Sequence, residues 1–354
     1  MNQLLVDQIV NAVLYEGYIL YPYRPSVKNK QRWTFGGLCP RSYSEAHGGS
    51  EAWTMRTECL VRGSATTAIQ VEVRFLHLTA RLVGELNPLR NELPDGEEPA
   101  YRLVERLQVG DRLLLAWQEA EERRVSLDEL DLLSLAVQSR RREFDFPAHR
   151  RLEPVRGPTG EIVAVVVREQ QPVTGVLIVS AERVAEELFK VSVWIENQTP
   201  LEDAGNRDRD EALLRSLVST HTVLAAHNGE FVSLIDPPEE WRELVASCRN
   251  VGAWPVLVGN AGEKDTMLSS PIILYDYPQI APESPGDLFD STEIDEILTL
   301  RILTLTDEEK QAAVAVDGRV RALLHRSETL DPEQMRRMHG TVRGLHPVSS
   351  EDLR

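Results

Sequence analysis

Apolar and polar residues alternate along several short runs of the chain, and this period of two predicts β-strands. In residues 68–78, Ile69, Val71, Val73 and Phe75 fall on one face and polar side chains fall on the other. Such a pattern is typical of an antiparallel strand with one buried face. The other runs with strand character are residues 58–62, 113–117, 161–167, 173–179, 189–197 and 254–258.

The dipeptide Asn228-Gly229 separates two further apolar runs, residues 222–227 and 230–235. Asn-Gly favours a type I′ turn, because both central residues of that turn need a positive φ. The sequence therefore predicts a β-hairpin in which His227 lies directly opposite Glu230. His221 would then lie about 20 Å from His227 along the strand. A metal ion shared by these three side chains is thus disfavoured.

Helical spacing is confined to shorter segments. Apolar residues between positions 4 and 14 predict a first helix that Gly17 would end. Residues 119–142 are ambiguous, because a capping-box pattern at 126–129 is compatible with a helix there, and Asp236-Pro237-Pro238 predicts a further short helix. Two more helices are predicted after residue 305, each with an N-terminal capping signal.

These elements together predict an α+β fold. We expect a predominantly antiparallel, sandwich-like β structure with short helices and a helical C-terminal tail. At 354 residues, two domains are the default expectation. Residues 151–160 contain two prolines and two glycines and mark a candidate seam. We therefore predict a domain at 1–155 with an aromatic and basic loop, a second at 156–305, and a tail at 306–354.

The formal net charge of −17 disfavours binding to nucleic acids and to anionic membranes. The three cysteines, Cys39, Cys59 and Cys248, form no Cys-x-x-Cys pair, so we expect no zinc or iron–sulfur site. No cofactor-binding motif occurs, and we expect no cofactor. No apolar run is long enough to cross a membrane and no signal peptide is recognisable, so we expect a cytoplasmic protein.

Residues 15–43 combine aromatic and basic side chains in an otherwise acidic chain. The segment holds seven of the 21 aromatic residues and five basic residues against one acid. Aromatic and Arg side chains are enriched where proteins bind one another. The same side chains could instead fold inward and stack on one another. The sequence leaves both interpretations open.

Two candidates for chemistry carry weaker patterns. Asp276 opens an acidic tract that continues to Glu296, and paired carboxylates could hold Mg²⁺ or Ca²⁺. Cys39 has basic neighbours in sequence, which could activate a thiol. The simpler interpretation of the acidic tract is a loop that faces solvent or a partner. The simpler interpretation of Cys39 is an incidental cysteine without a chemical role.

The chain contains long and unusual motifs. The first reads Tyr-Glu-Gly-Tyr-Ile-Leu-Tyr-Pro-Tyr-Arg-Pro at residues 15–25, followed by Arg-Trp-Thr-Phe-Gly at 32–36. The second begins Ser-Pro-Ile-Ile-Leu-Tyr-Asp-Tyr-Pro at residues 270–278 and extends to 287, and a further run follows at 299–308. These motifs resemble an uncharacterised family of bacterial proteins encoded near NiFe uptake hydrogenases, and the resemblance implies a role in assembling, maturing or stabilising the hydrogenase. It brings no catalytic residues with it.

We therefore predict a non-catalytic accessory protein that binds a protein partner, which could be a hydrogenase subunit or a maturation factor. The opposing hypothesis is a metal-dependent hydrolase that uses an acidic cluster around Asp276, and a third is nucleic-acid binding. Partner contact is assigned to the aromatic and basic surface at residues 15–41 and to a loop at 278–296. The predicted partner-binding residues are Tyr18, Tyr21, Tyr23, Arg24, Arg32, Trp33, Phe35, Tyr275, Asp276 and Tyr277.

Overall fold

The computed structural model describes residues 3–19, 35–93 and 98–279. Within these residues the helices are α1 (Gln3–Ile19), α2 (Arg41–Ala46), α3 (Leu132–Val137), α4 (Arg209–Leu213) and α5 (Arg242–Ala246), with 3-10 turns at Ala204–Asn206 and Glu239–Trp241. The first strands are β1 (Thr54–Arg90), β2 (Tyr101–Val104), β3 (Arg106–Val109), β4 (Arg112–Leu115), β5 (Trp117–Asp131), β6 (Arg140–Phe146) and β7 (His149–Arg156). The later strands are β8 (Ile162–Gln170), β9 (Val173–Ala185), β10 (Leu188–Asn197), β11 (Val218–Phe231), β12 (Trp254–Leu257) and β13 (Thr266–Ser270).

The fold is predominantly antiparallel β, as the alternating pattern predicts. Eleven of the described strands form one antiparallel sheet, and β3 and β4 form a separate hairpin. The predicted C-terminal helices, and the predicted tail at 306–354, lie outside the described residues. In those described residues no helix is both long and apolar enough to span a bilayer.

The long strand β1 is the central strand of the sheet and pairs with five other strands. Its first part pairs with β10, its middle pairs with β11 on one edge and β5 on the other, and its last part pairs with β8 and β2. A strand of 37 residues can pair with five neighbouring strands because each neighbour is hydrogen-bonded to only part of its length. The predicted domain boundary at 155/156 lies at the end of β7. Strands from both predicted domains are hydrogen-bonded in this one sheet.

The main core lies on one face of β1. Ile69, Val71, Val73 and Phe75 are fully buried, which confirms the predicted strand face. They join side chains from β5, β6, β9, β10 and β11 in one apolar cluster, so both halves of the sheet contribute to it. On the opposite face, α1 packs its apolar side chains against β11, β12 and β13. Helix α1 continues to Ile19, so Gly17 does not end it as predicted.

One local prediction is wrong, and one ambiguous segment is resolved. The sequence around Asn228-Gly229 forms no hairpin, because β11 runs through both residues as one strand. Glu230 therefore lies opposite Arg62 of β1, and not opposite His227 as predicted. The capping-box pattern at residues 126–129 lies inside β5, and α3 begins only after Asp131, whose carboxylate accepts a hydrogen bond from the Ser134 N–H.

Candidate protein-docking surface

Residues 271–279, which we call the strap, follow β13 and cross the outer edge of β12. The Leu257 N–H donates a 2.8 Å hydrogen bond to Asp276 Oδ1, and the Tyr277 N–H donates one of 2.7 Å to the Leu257 carbonyl. Pro255 of the same strand has no N–H group. The strap therefore occupies both backbone groups of Leu257, through which this edge strand could otherwise pair with another chain.

Side chains of the strap alternate between the core and the solvent. Leu274 is buried and Ile272 is half-buried, and both pack in the apolar cluster beneath α1. Ile273 and Tyr275 point the other way and are 72% and 84% exposed. Two large apolar side chains this exposed, two positions apart on one segment, are a feature that folding does not require.

A neighbouring loop adds a third apolar side chain. Ser233 Oγ donates a hydrogen bond to Asp276 Oδ2 and accepts bonds from the N–H groups of Ile235 and Asp236 at 3.1 and 2.9 Å. These bonds fix the loop beside the strap and leave Ile235 half exposed. We refer to Ile235, Ile273 and Tyr275 as the docking surface.

The strap begins beside the end of the aromatic segment. The carbonyls of Phe35 and Gly36 accept hydrogen bonds of 3.1 and 3.0 Å from the N–H groups of Ser219 and Thr220. Gly36 has a φ of +57°, and a Cβ added there would lie 2.5 Å from Pro271 Cβ. Only glycine fits such an approach. The two motifs that carry the family resemblance thus meet at this contact, which sequence alone did not reveal.

The predicted partner-binding residues divide into three groups. Tyr275, Asp276 and Tyr277 lie on the strap, and Phe35 lies half-buried at the contact with its first residues. Tyr18 belongs to α1, although its side chain lies outside the described part of the chain. The remaining residues, which are also outside the described part, are Tyr21, Tyr23, Arg24, Arg32 and Trp33.

Asp276 and Tyr277 hold the strap in place. Both carboxylate oxygens of Asp276 accept hydrogen bonds from the protein, as described above. Tyr277 is half-buried against the main core, and burial raises the pKa of its hydroxyl. Its φ of +57° turns the chain at the end of the β12 crossing. Of the three predicted strap residues, Tyr275 is therefore the one most available to a partner.

The far end of the aromatic segment makes contacts within the chain. The Arg41 guanidinium stacks on the Trp53 ring at 4.7 Å and donates to Glu45 at 2.6 Å, but its side chain remains 61% exposed. Tyr43 is 5% exposed and its ring stacks on His47 at 4.1 Å. The inward interpretation therefore holds for Tyr43, whereas Arg41 stays at the surface.

The cysteines provide no activated nucleophile. Burial raises the pKa of the Cys39 thiol to about 12 and that of Cys248 to about 11, and it raises the pKa of Cys59 as well. A thiolate is the reactive form of cysteine, so these shifts oppose nucleophilic chemistry at neutral pH. Arg209 and the backbone favour the thiolate of Cys39, but desolvation and Glu51 outweigh them.

The described residues contain no group of three His, Cys, Asp or Glu side chains placed to hold a metal ion. His221 is fully buried in β11, whereas His227 is exposed near the other end of that strand. The acidic tract after Asp276 lies outside the described residues from position 280 onward. The hydrolase hypothesis therefore stays a prediction, and metal analysis of the purified protein tests it directly: stoichiometric, tightly bound metal would favour it.

Sequence reasoning overlooked Ile235, Ile273 and the serine that links their segments. Alternation in residues 272–275 was available as a signal, because it places Ile273 and Tyr275 on the same face. The position of Ile235 depends on a hydrogen bond between residues 43 positions apart, which no local pattern reveals.

No family model matches the chain, and a search of curated proteins finds no significant match.

Proposed function

We propose that this chain is a non-catalytic accessory protein of the cytoplasm that binds a NiFe hydrogenase subunit or one of its maturation factors. The observation that carries the proposal is the exposure of Tyr275 and Ile273 on a strap that is itself fixed by backbone and side-chain hydrogen bonds. A rigid segment presenting apolar side chains to solvent loses little conformational entropy on binding, which favours association.

The position of the strap adds support. It begins against Gly36, so both motifs of the family resemblance contribute to one region of the molecule. Aromatic side chains near the centre of an interface supply a large share of binding energy. Tyr275 would serve as that anchor, with Ile273 and Ile235 excluding water around it.

A complementation experiment tests the proposal. In a host strain lacking this chain, we expect hydrogenase activity to fall, and the wild-type chain to restore it. A variant with Ile273→Ser and Tyr275→Ala should restore it poorly while accumulating to the same level. Leu103→Ala removes a side chain that is 56% exposed elsewhere on the sheet and should restore activity fully. Unchanged hydrogenase activity in the deletion strain would refute the proposed role.

A further inference from the structure

The docking surface is bordered by acidic side chains. Asp236 follows Ile235 directly and is exposed, and the 3-10 turn after it carries the exposed Glu239 and Glu240. Three exposed acids therefore lie within five residues of Ile235 along the chain.

One basic side chain lies on the same segment and is already neutralised. Arg242 forms an ion pair with Glu239 at 2.8 Å, so this pair contributes no net charge. Asp236 and Glu240 are the exposed acids that remain beside Ile235. The local excess of negative charge has the same sign as the whole chain, whose formal net charge is −17.

We propose that the docking surface receives a basic segment of a partner protein, with an apolar side chain of that segment packing between Ile235 and Tyr275. The inference rests on the proposed function only in taking this surface to be a site of protein binding. Positive charge on the partner would meet the acidic border, and the net charge of the chain would accelerate the encounter.

Other occupants fit less well. In a symmetric dimer the same surface meets itself, so Asp236, Glu239 and Glu240 of one copy would face those of the other. Phosphate groups of lipids or nucleic acids would meet the same negative border and be repelled. A basic protein segment is the occupant whose charge complements what the surface presents.

Binding of labelled peptides to the full-length protein tests the inference. Three peptides of equal length and apolar content, one basic, one neutral and one acidic, are titrated while fluorescence anisotropy is recorded. We expect the basic peptide to bind at least tenfold more tightly than the acidic one, and its affinity to fall as salt is raised. Tyr275→Ala should weaken its binding about tenfold or more.

Charge reversal provides the matched comparison. Asp236→Lys should lower the affinity for the basic peptide and raise the affinity for the acidic one. Glu186→Lys changes an exposed acid outside the acidic border and should leave both affinities nearly unchanged. Equal binding of the three peptides, or binding that ignores Tyr275→Ala, would overturn the inference. A concentration-dependent dimer that Tyr275→Ala abolishes would also overturn it, because a second copy would then be the occupant.

The two proposals fail in different ways. If a hydrogenase protein binds the wild-type chain with an affinity that salt does not alter, the basic-partner inference is wrong and the accessory role survives. If the basic peptide binds through Tyr275 but deletion of the chain leaves hydrogenase activity intact, the accessory role is wrong and the surface chemistry stands.

Discussion

Arg74 is the residue at which the strand pattern and the structure differ most. Its position on the polar face of β1 predicts exposure, but the side chain is 1% exposed because α1 covers it. Its guanidinium donates to Asp7 of α1 and to Glu72, each at 2.5 Å, and Glu122 lies at 3.8 Å from Nη1. A buried charge is tolerated only when it is paired in this way.

Replacing Arg74 with methionine should therefore lower the free energy of unfolding by about 3 kcal/mol, because the acids around it lose their shared partner. Arg141→Met is the control, since Arg141 is half exposed and its ion pair with Glu143 is solvated. That change should cost less than about 1 kcal/mol. Urea denaturation measures both, and equal losses would contradict the assigned role of Arg74.

Two buried histidines predict a loss of stability in acid. Burial lowers the pKa of both His77 and His221 to about 4, from a usual value near 6.5. Between those pH values the unfolded chain binds protons that the folded chain does not, so stability falls as pH falls through this window. Each histidine contributes a slope of up to about 1.4 kcal/mol per pH unit.

The unfolding free energy of His221→Gln, measured across that window, should show a shallower dependence on pH than that of the wild type. Gln138→Ala, at an exposed position with a side chain that does not titrate, should leave the dependence unchanged. An unaltered slope in His221→Gln would show that the folded state protonates this histidine as readily as the unfolded chain does.

At the scale of elements, the pairing of β1 with β11 explains why the hairpin prediction is wrong. Asn228 does adopt a positive φ of +55°, as Asn-Gly favours, but the chain continues straight on. The irregularity lies in β1, where four residues between Gly63 and Ala68 bulge opposite the single residue Asn228. The turn signal at Asn228-Gly229 thus coincides with a bulge and not with a hairpin, because β11 pairs with the long strand β1 on both sides of these residues.

The bulge makes Gly229 difficult to replace. A Cβ added there would lie 2.6 Å from Thr67 Cγ2 and 3.0 Å from the Arg62 carbonyl oxygen. Thr67 cannot easily move, because its hydroxyl accepts from the Ser64 N–H and donates to the Asn228 carbonyl. Gly229→Ala should therefore lower the free energy of unfolding by about 1 to 3 kcal/mol.

Gly205→Ala is the matched control for that prediction, because a Cβ at Gly205 would have no neighbour within 4 Å. Thermal or urea unfolding of the two variants decides the outcome. If Gly229→Ala is as stable as Gly205→Ala, the close contact between Thr67 and Gly229 is not what fixes this bulge.

Local patterns located some strands and missed others. Alternation identified β1 and β10, which have one face against the apolar interior, and continuous apolar runs identified β8, β9 and β12. Strands β2, β3, β6, β7 and β13 were not predicted. The capping pattern at residues 126–129 was misleading because β5 pairs with β1 along almost its whole length, and that long-range pairing outweighs a local helix signal. The strand partners themselves depend on contacts distant in sequence.

At the scale of the whole molecule, the strap and its surroundings assemble from parts far apart in the chain. The sequence marked Tyr275 and the aromatic segment by their composition. It could not show that Gly36 meets Pro271, or that Asp276 binds Ser233 and so brings Ile235 to the surface. Those placements arise from the sheet, because β11, β12 and β13 carry the segments involved to one side of it.

We propose that Ile273 and Tyr275 bind a hydrogenase protein, and affinity capture from the native host is the decisive experiment. Tagged wild type, Ile273→Ser with Tyr275→Ala, and the control Leu103→Ala are each purified, and co-purifying proteins are quantified by mass spectrometry. We predict that a hydrogenase subunit or maturation factor is enriched with the wild type and with the control, and falls about tenfold or more with the double variant. Equal capture by all three proteins, or no hydrogenase protein with any of them, would refute the binding of a hydrogenase protein through Ile273 and Tyr275.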